Sequence, residues 1–300
     1  MHRGTTVLLI AFDLVAVASG CSRRTEESAK PSLTVVSWPL DVDYAEARKS
    51  FRTRLVRTSP SPQQAGPLHT PPGARAVTYQ SGELSLTAYM DLAPKDGKKH
   101  PAVLFCHGGF AFGDDDWSMP QLFRDAGFVV MVPILRGENG QPGNYSTMYD
   151  EVDDVLAAAE TLAHLPEVDA DRVYVSGHSV GGTLALLAAM TTTRFRAAAS
   201  LSATVDQRQF VRSQPDLVAY DSTAPHEIEM RSPLAFATSL HCQTRISYGE
   251  AEEWTARPSK ALARFAEAKH LDVQAVSVPG DHFSSVPAEI RAAIAFFETH

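Results

Sequence analysis

The sequence holds three cysteines with no CxxC pair, and its 11 histidines show neither HExxH nor a comparable ligand spacing, so neither a metal nor another cofactor is implied. Lysine and arginine number 27 against 35 aspartates and glutamates, a formal net charge of -8. Without clustered basic residues, a nucleic-acid surface is not expected. There is no low-complexity tract and no internal repeat, which argues against a solenoid or a disordered chain. What is present is a hydrophobic share of 44% over 300 residues, enough for one main core.

The N-terminus, MHRGTTVLLIAFDLVAVASGCS, pairs one basic residue, Arg3, with an apolar stretch from Val7 to Ala18 and small residues up to Cys21. This reads as an export signal over residues 1–20, too short to span a membrane as a mature helix. Ala18-Ser19-Gly20-Cys21 resembles a bacterial lipobox, which implies cleavage before Cys21, lipid on its sulfur and membrane attachment through that lipid alone. Asp13 interrupts the apolar run and Ala18 stands where Leu is commonest, so an ordinary secretory signal is the alternative. Cys106 ends one expected strand and Cys242 precedes another, placing them toward opposite edges of a sheet as two unpaired thiols.

Residues 21–73 read as a tether and linker. SRRTEESAKP is charged and small, DYAEARKSFRTRLV suggests a short helix from about Asp43 to Val56, and TSPSPQQAGPLHTPPG carries five prolines that resist regular structure. The folded domain is expected to begin after it, over 74–300. ARAVTYQ and ELSLTAYMDL, split by Ser81-Gly82, form a hairpin. Apolar strand runs then start at Ala102, Phe128, Arg172, Ala197, Thr244 and Val273, alternating with helical patterns such as YDEVDDVLAAAETLAHL. That alternation predicts an α/β fold with a mostly parallel central sheet and helices on both faces. The interval 204–240 is the longest between strands and is expected to be a lid over their carboxyl ends.

Gly177-His178-Ser179-Val180-Gly181 matches G-x-S-x-G, with strand RVYVS before it and a helix after it. A sharp strand-to-helix turn exposes a serine hydroxyl, and the helix N-terminus turns free N–H groups toward developing negative charge. The serine needs a base, oriented by an acid. In α/β hydrolases the chain order is Ser, acid, His. His282, in the GDHF loop after the last strand, is the base by that order; His226, His241 and His270 read as surface residues. The acid falls in GEAEEW, where Glu250, Glu252 and Glu253 compete.

From about Ala76 onward the chain resembles the catalytic domain of the prolyl oligopeptidase family, serine peptidase family S9, and its dienelactone-hydrolase-like relatives. The resemblance rests on PAVLFCHGGF, AGFVVMVPILRGENG, the stretch from Tyr149 to Ala189, RSPLAF, ISYGEAEEW and PGDHF. It implies the α/β-hydrolase fold. These relatives read G-x-x-D after the strand, so counting from Gly249 implies Glu252 as the acid, with Glu250 a competitor. The HGG loop at 107–109 implies Gly109 N–H as one oxyanion donor, alongside Val180 N–H. His107 and Arg136 read as structural.

This machinery specifies attack on an acyl carbon and an acyl-enzyme, without specifying amide or ester. Fewer than 60 residues separate Cys21 from the hairpin, so the β-propeller of narrow-specificity S9 enzymes, at about 40 residues per blade, is not expected. Specificity then falls to the lid, where Phe210, Val211, Leu217, Tyr220 and Met230 would shape an apolar pocket. Three readings follow: a peptidase-like hydrolase of short peptides, a carboxylesterase or acetyl-esterase on small esters, and a hydrolase-fold lipoprotein that binds a ligand without turnover.

Overall fold

A computed structural model describes residues 38–63, 66–92 and 96–300. The export segment, Cys21 and the first part of the expected tether lie outside these residues. Eight strands form one sheet: β1 (Ala74–Ser81), β2 (Leu84–Asp91), β3 (His100–Cys106), β4 (Val129–Pro133), β5 (Val168–His178), β6 (Ala197–Leu201), β7 (Gln243–Gly249) and β8 (Val273–Val278). The helices are α1 (Tyr44–Ser50), α2 (Asp114–Ser118), α3 (Gln121–Asp125), α4 (Glu151–Ala163), α5 (Val180–Ala189), α6 (Gln207–Ser213), α7 (Pro225–Glu229), α8 (Glu253–Glu267) and α9 (Val286–Glu298). The sheet order is β1-β2-β4-β3-β5-β6-β7-β8. β2 pairs antiparallel with β1 and with β4, and the remaining pairs are parallel.

The continuous apolar runs are explained by burial on both faces. Along β3, Ala102, Leu104 and Cys106 join the core beneath α4 and α5, while Val103 and Phe105 join the opposite core against α3 and α9. Successive side chains of a strand point to opposite faces, so a strand covered twice must be apolar at every position. The chain leaves β3 toward β4 on one side and leaves β5 toward β6 on the other, which makes the gap between β3 and β5 a topological switch point. Loops at the carboxyl ends of those two strands diverge to opposite faces and leave a crevice. Cys106 pairs with Gly177 there, so HGGF and GHSVG emerge side by side.

Two expectations need correction. The α1 helix stops at Ser50 instead of running to Val56, because the next residues are drawn into extended pairing with the 204–240 insertion. Leu55 bridges Tyr220, and both Val56 N–H and Arg57 N–H donate to Ala219 O. Tertiary hydrogen bonds here outweigh a weak local helical preference. Nor are residues 38–63 a linker outside the domain. Tyr44 is fully buried with its hydroxyl on Met230 O at 2.8 Å, Leu40 N–H donates to Ala235 O, and Ser61 N–H donates to Gly137 O. The prolines exclude a ladder, as expected, yet isolated contacts make this segment a strap across the domain.

The insertion contains α6, α7 and two short 3-10 turns, and it is packed into the main core through Val218, Ile228, Leu234 and Phe236. Tyr220, Met230 and Phe210, expected in a substrate pocket, are all buried in that core, Phe210 against Phe110 at a ring distance of 5.9 Å. Arg231, 0% exposed, fixes the arrangement. Its guanidinium bonds Glu227 Oε2 at 2.6 Å, Ser146 O and Thr53 Oγ1 at 2.8 Å each, and lies 3.9 Å over the Tyr220 ring. One side chain thus ties the strap, the loop before α4 and the insertion together.

Candidate active site

Steric necessity shapes the turn at Ser179. The residue sits at φ 57° and ψ -116°, between the end of β5 and the first residue of α5. A Cβ on Gly177 would meet Gly181 O at 2.4 Å, and one on Gly181 would meet Cys106 O at 2.0 Å. Only glycine permits this approach, which clamps the turn against the end of β3. Val180 N–H lies in the first turn of α5, where N–H groups have no intrahelical acceptor.

The structure brings Ser179, His282 and Glu252 together. His282 Nε2 lies 3.1 Å from Ser179 Oγ, and His282 Nδ1 lies 2.7 Å from Glu252 Oε1. Of the three competing glutamates, Glu252 is 2% exposed, while Glu250 and Glu253 are exposed and make no such contact. The longer glutamate side chain is accommodated by a closed turn. Glu252 N–H donates to Gly249 O, and Gly249 N–H returns a bond to Glu252 Oε2 at 2.8 Å. Burial pushes the Glu252 carboxyl up, but bonds from His282, Ser202 and Gly249 N–H outweigh it and hold the group below its ordinary range.

Three supporting residues carried no sequence signal for this role. Ser202, held at φ 48°, places its hydroxyl within bonding distance of Glu252 Oε2 and 2.7 Å from Glu289 Oε1. One hydroxyl proton cannot serve two carboxylates. The contacts close when Glu289 is protonated and donates to Ser202, which donates to Glu252. Glu289 is 0% exposed and burial raises its carboxyl accordingly, against bonds from Ser285 and Ser202. The His178 ring lies 4.7 Å from that of His282, and its Nε2–H donates to His282 O at 2.7 Å. Burial first, then the neighbouring His282, lowers His178 to about 4 and keeps it neutral.

The HGGF loop abuts Ser179. A Cβ on Gly108 would sit 3.7 Å from Ser179 Cβ, and Gly109 follows at φ 67°. Gln63, from the strap, accepts Phe110 N–H at 2.9 Å and borders Gly109. His107 faces away, with Nε2 on Glu138 Oε2 and Nδ1 on Gly108 O, both at 2.9 Å. Burial would lower His107, but the Glu138 carboxylate outweighs it and raises the imidazole to about 10. Arg136 meets both oxygens of Asp154 and anchors the following loop to α4. Cys106 and Cys242 are unpaired. Among the described residues no group of three or more His, Cys, Asp and Glu is placed to hold a metal ion.

The fold is shared with solved structures. A puromycin-hydrolyzing peptidase of Mycobacterium tuberculosis superposes with a TM-score of 0.65 at 22% identity, over 76% of this chain and 40% of that one. An esterase of Pyrococcus furiosus, Pf2001, gives 0.63 at 16% identity, over 80% of this chain and 98% of that one. This is the α/β-hydrolase fold. Within it, residues 115–246 match the prolyl oligopeptidase family. That stretch contains Ser179 but neither Glu252 nor His282, so the alignment of those two rests on the geometry. A Bacillus subtilis protein described as an uncharacterized peptidase, YtmA, is 24% identical over 207 residues, covering 66% of this chain and 78% of that protein. The hydrolase fold here spans two fifths of the mycobacterial peptidase's length.

Proposed function

We propose that the protein is a serine hydrolase that forms an acyl-enzyme on Ser179 and cleaves short peptides or related small acyl substrates. The observation that carries this reading is the continuous relay from Ser179 Oγ through His282 to Glu252, at a strained turn that opens directly into α5. His282 Nε2 takes the hydroxyl proton as Oγ attacks the acyl carbon, and Glu252 holds the imidazole in register and stabilises its charge. Gly109 N–H and Val180 N–H receive the oxyanion, a contribution on the order of a hundredfold or more per donor. His282 then gives the proton to the leaving atom as its bond to carbon breaks. Water, activated by the same base, attacks the ester and returns Ser179 Oγ–H.

Labelling by a fluorophosphonate probe tests the reading, with Ser179→Ala as control. Labelling that does not depend on Ser179 overturns it. A carboxylesterase reading is favoured by one observation: the Pyrococcus esterase is matched over 98% of its length. Comparing p-nitrophenyl acyl esters with aminoacyl and prolyl anilides separates the two.

We also infer export and anchoring through a lipid on Cys21, supported by the sequence of residues 1–21. Mass spectrometry of the membrane-extracted protein tests it: an unmodified Cys21 or a retained residue 1 overturns the anchor.

A further inference from the structure

Among the described residues, the two most exposed aromatic side chains both pack against His282. Phe283 is 71% exposed and Trp254 is 41% exposed, and both pack against the His282 imidazole, with ring distances of 5.0 Å and 5.7 Å. They reach it from different elements: Trp254 from the first turn of α8, Phe283 from the loop after β8. Among the described residues the other exposed large apolar side chains are the aliphatic Val42, Val56 and Leu92. Phe123, Phe128 and Phe297, by contrast, are buried together beneath the sheet. An apolar surface left open beside a reactive group points to an apolar ligand.

The chemistry says which part of the ligand meets these rings, and this step rests on the proposed acyl-enzyme reading. As the Ser179 Oγ–acyl bond forms, the acyl oxygen turns toward the Gly109 and Val180 N–H groups. The bond that breaks joins the acyl carbon to the nitrogen or oxygen that takes the proton from His282 Nε2. The departing group therefore leaves on the imidazole side, along the surface that Trp254 and Phe283 supply. Phe110 of the HGGF loop is instead buried against Phe210 of α6 and offers the departing group no open surface.

We propose that Trp254 and Phe283 form a leaving-group subsite that selects substrates whose departing amine or alcohol carries an aromatic or bulky apolar group. Peptide bonds followed by a large apolar residue, or esters of arylalkyl alcohols, belong to this class.

The test uses N-acetyl-alanine ethyl ester and N-acetyl-alanine phenethyl ester, which give one and the same acyl-enzyme, so the ratio of their kcat/KM values reports the leaving group alone. The wild-type protein should favour the phenethyl ester by about tenfold, equivalent to about 1.4 kcal/mol. Trp254→Ala and Phe283→Ala should each lower that ratio, and the double variant should bring it within about twofold of unity. Phenylalaninamide should likewise outcompete glycinamide for the wild-type acyl-enzyme, a readout that needs no variant. Equal rates for the two esters, or a preference that survives in the double variant, overturns the subsite. Fluorophosphonate labelling of wild-type Ser179 without any leaving-group preference overturns the subsite and leaves the serine hydrolase standing. Absence of labelling overturns both.

Discussion

His178 donates its Nε2–H to the backbone oxygen of His282 at 2.7 Å, so the residue before Ser179 holds the loop that carries His282. Removing the ring leaves a carbonyl without its partner, a loss of about 1 kcal/mol. His178→Ala should lower kcat/KM by roughly tenfold, the equivalent of about 1.4 kcal/mol in misplacing His282. Steady-state kinetics with thermal unfolding as the companion measurement checks this; full activity at reduced stability would limit His178 to packing.

The carboxyl groups make a sharper case. Glu252→Gln keeps the shape but offers His282 an amide, and should reduce kcat on the order of ten-thousandfold, as loss of the orienting acid does in serine hydrolases. Glu250→Gln and Glu253→Gln, at exposed positions without contact to His282, should stay within about twofold of wild type. Parallel kinetics of the three variants decides the assignment.

Glu289 should behave as a neutral acid. Its shared hydroxyl contact requires a proton, so the infrared spectrum at neutral pH should show the carbonyl stretch of a protonated carboxylic acid, lost in Glu289→Gln. Gln can donate to Ser202 as the acid does and should retain most activity. Glu289→Ala leaves the network incomplete and should cost about 1–3 kcal/mol of stability in denaturant titration.

Two buried histidines set opposite pH limits on stability. His107 is raised to about 10 in the folded protein, so its stabilising contribution is complete below the unfolded value near 6.5 and is lost as pH rises through about 10. His178 is lowered to about 4, so the unfolded chain takes up its proton first and stability falls as pH drops from about 6.5 toward 4. Denaturant midpoints measured across this range should peak between the two limits. His107→Gln should flatten the alkaline side.

Arg231 should be the costliest single loss in the insertion. Arg231→Ala leaves Glu227 buried without its partner, an expected cost of about 3–5 kcal/mol. Limited proteolysis of the variant should cut within residues 38–63, because the Thr53 contact is lost with the guanidinium.

The parts of this architecture that were legible in the sequence obey short-range rules. Period-2 burial on both faces forces the apolar run of β3, and the clash of any Cβ with Gly181 O forces Gly177, so both leave marks within a few residues. The placing of His282 followed from the chain order of α/β hydrolases, whereas among three glutamates Glu252 was singled out only by the resemblance to relatives that read G-x-x-D after the strand. The strap was not legible. Thr53 meets Arg231 and Tyr44 meets Met230 across 178 and 186 residues of chain, through single contacts that impose no period. Ser202 and Glu289 were hidden for a related reason: a lone serine and a lone helical glutamate look like any others until β6 and α9 meet behind Glu252.

The close approach of Gly181 to Cys106 O and His107 O has a dynamic consequence. Ser179 and the HGGF loop are wedged together at the middle of the sheet and should move as one body, so that thermal motion leaves the two in register. His282 instead hangs from β8, the edge strand, and reaches Ser179 through His178 and the tight contact of Gly249 with Gly280. Loosening of the domain short of unfolding therefore acts on the base before the nucleophile, and mild heating should slow proton transfer while the pocket around Ser179 keeps its shape.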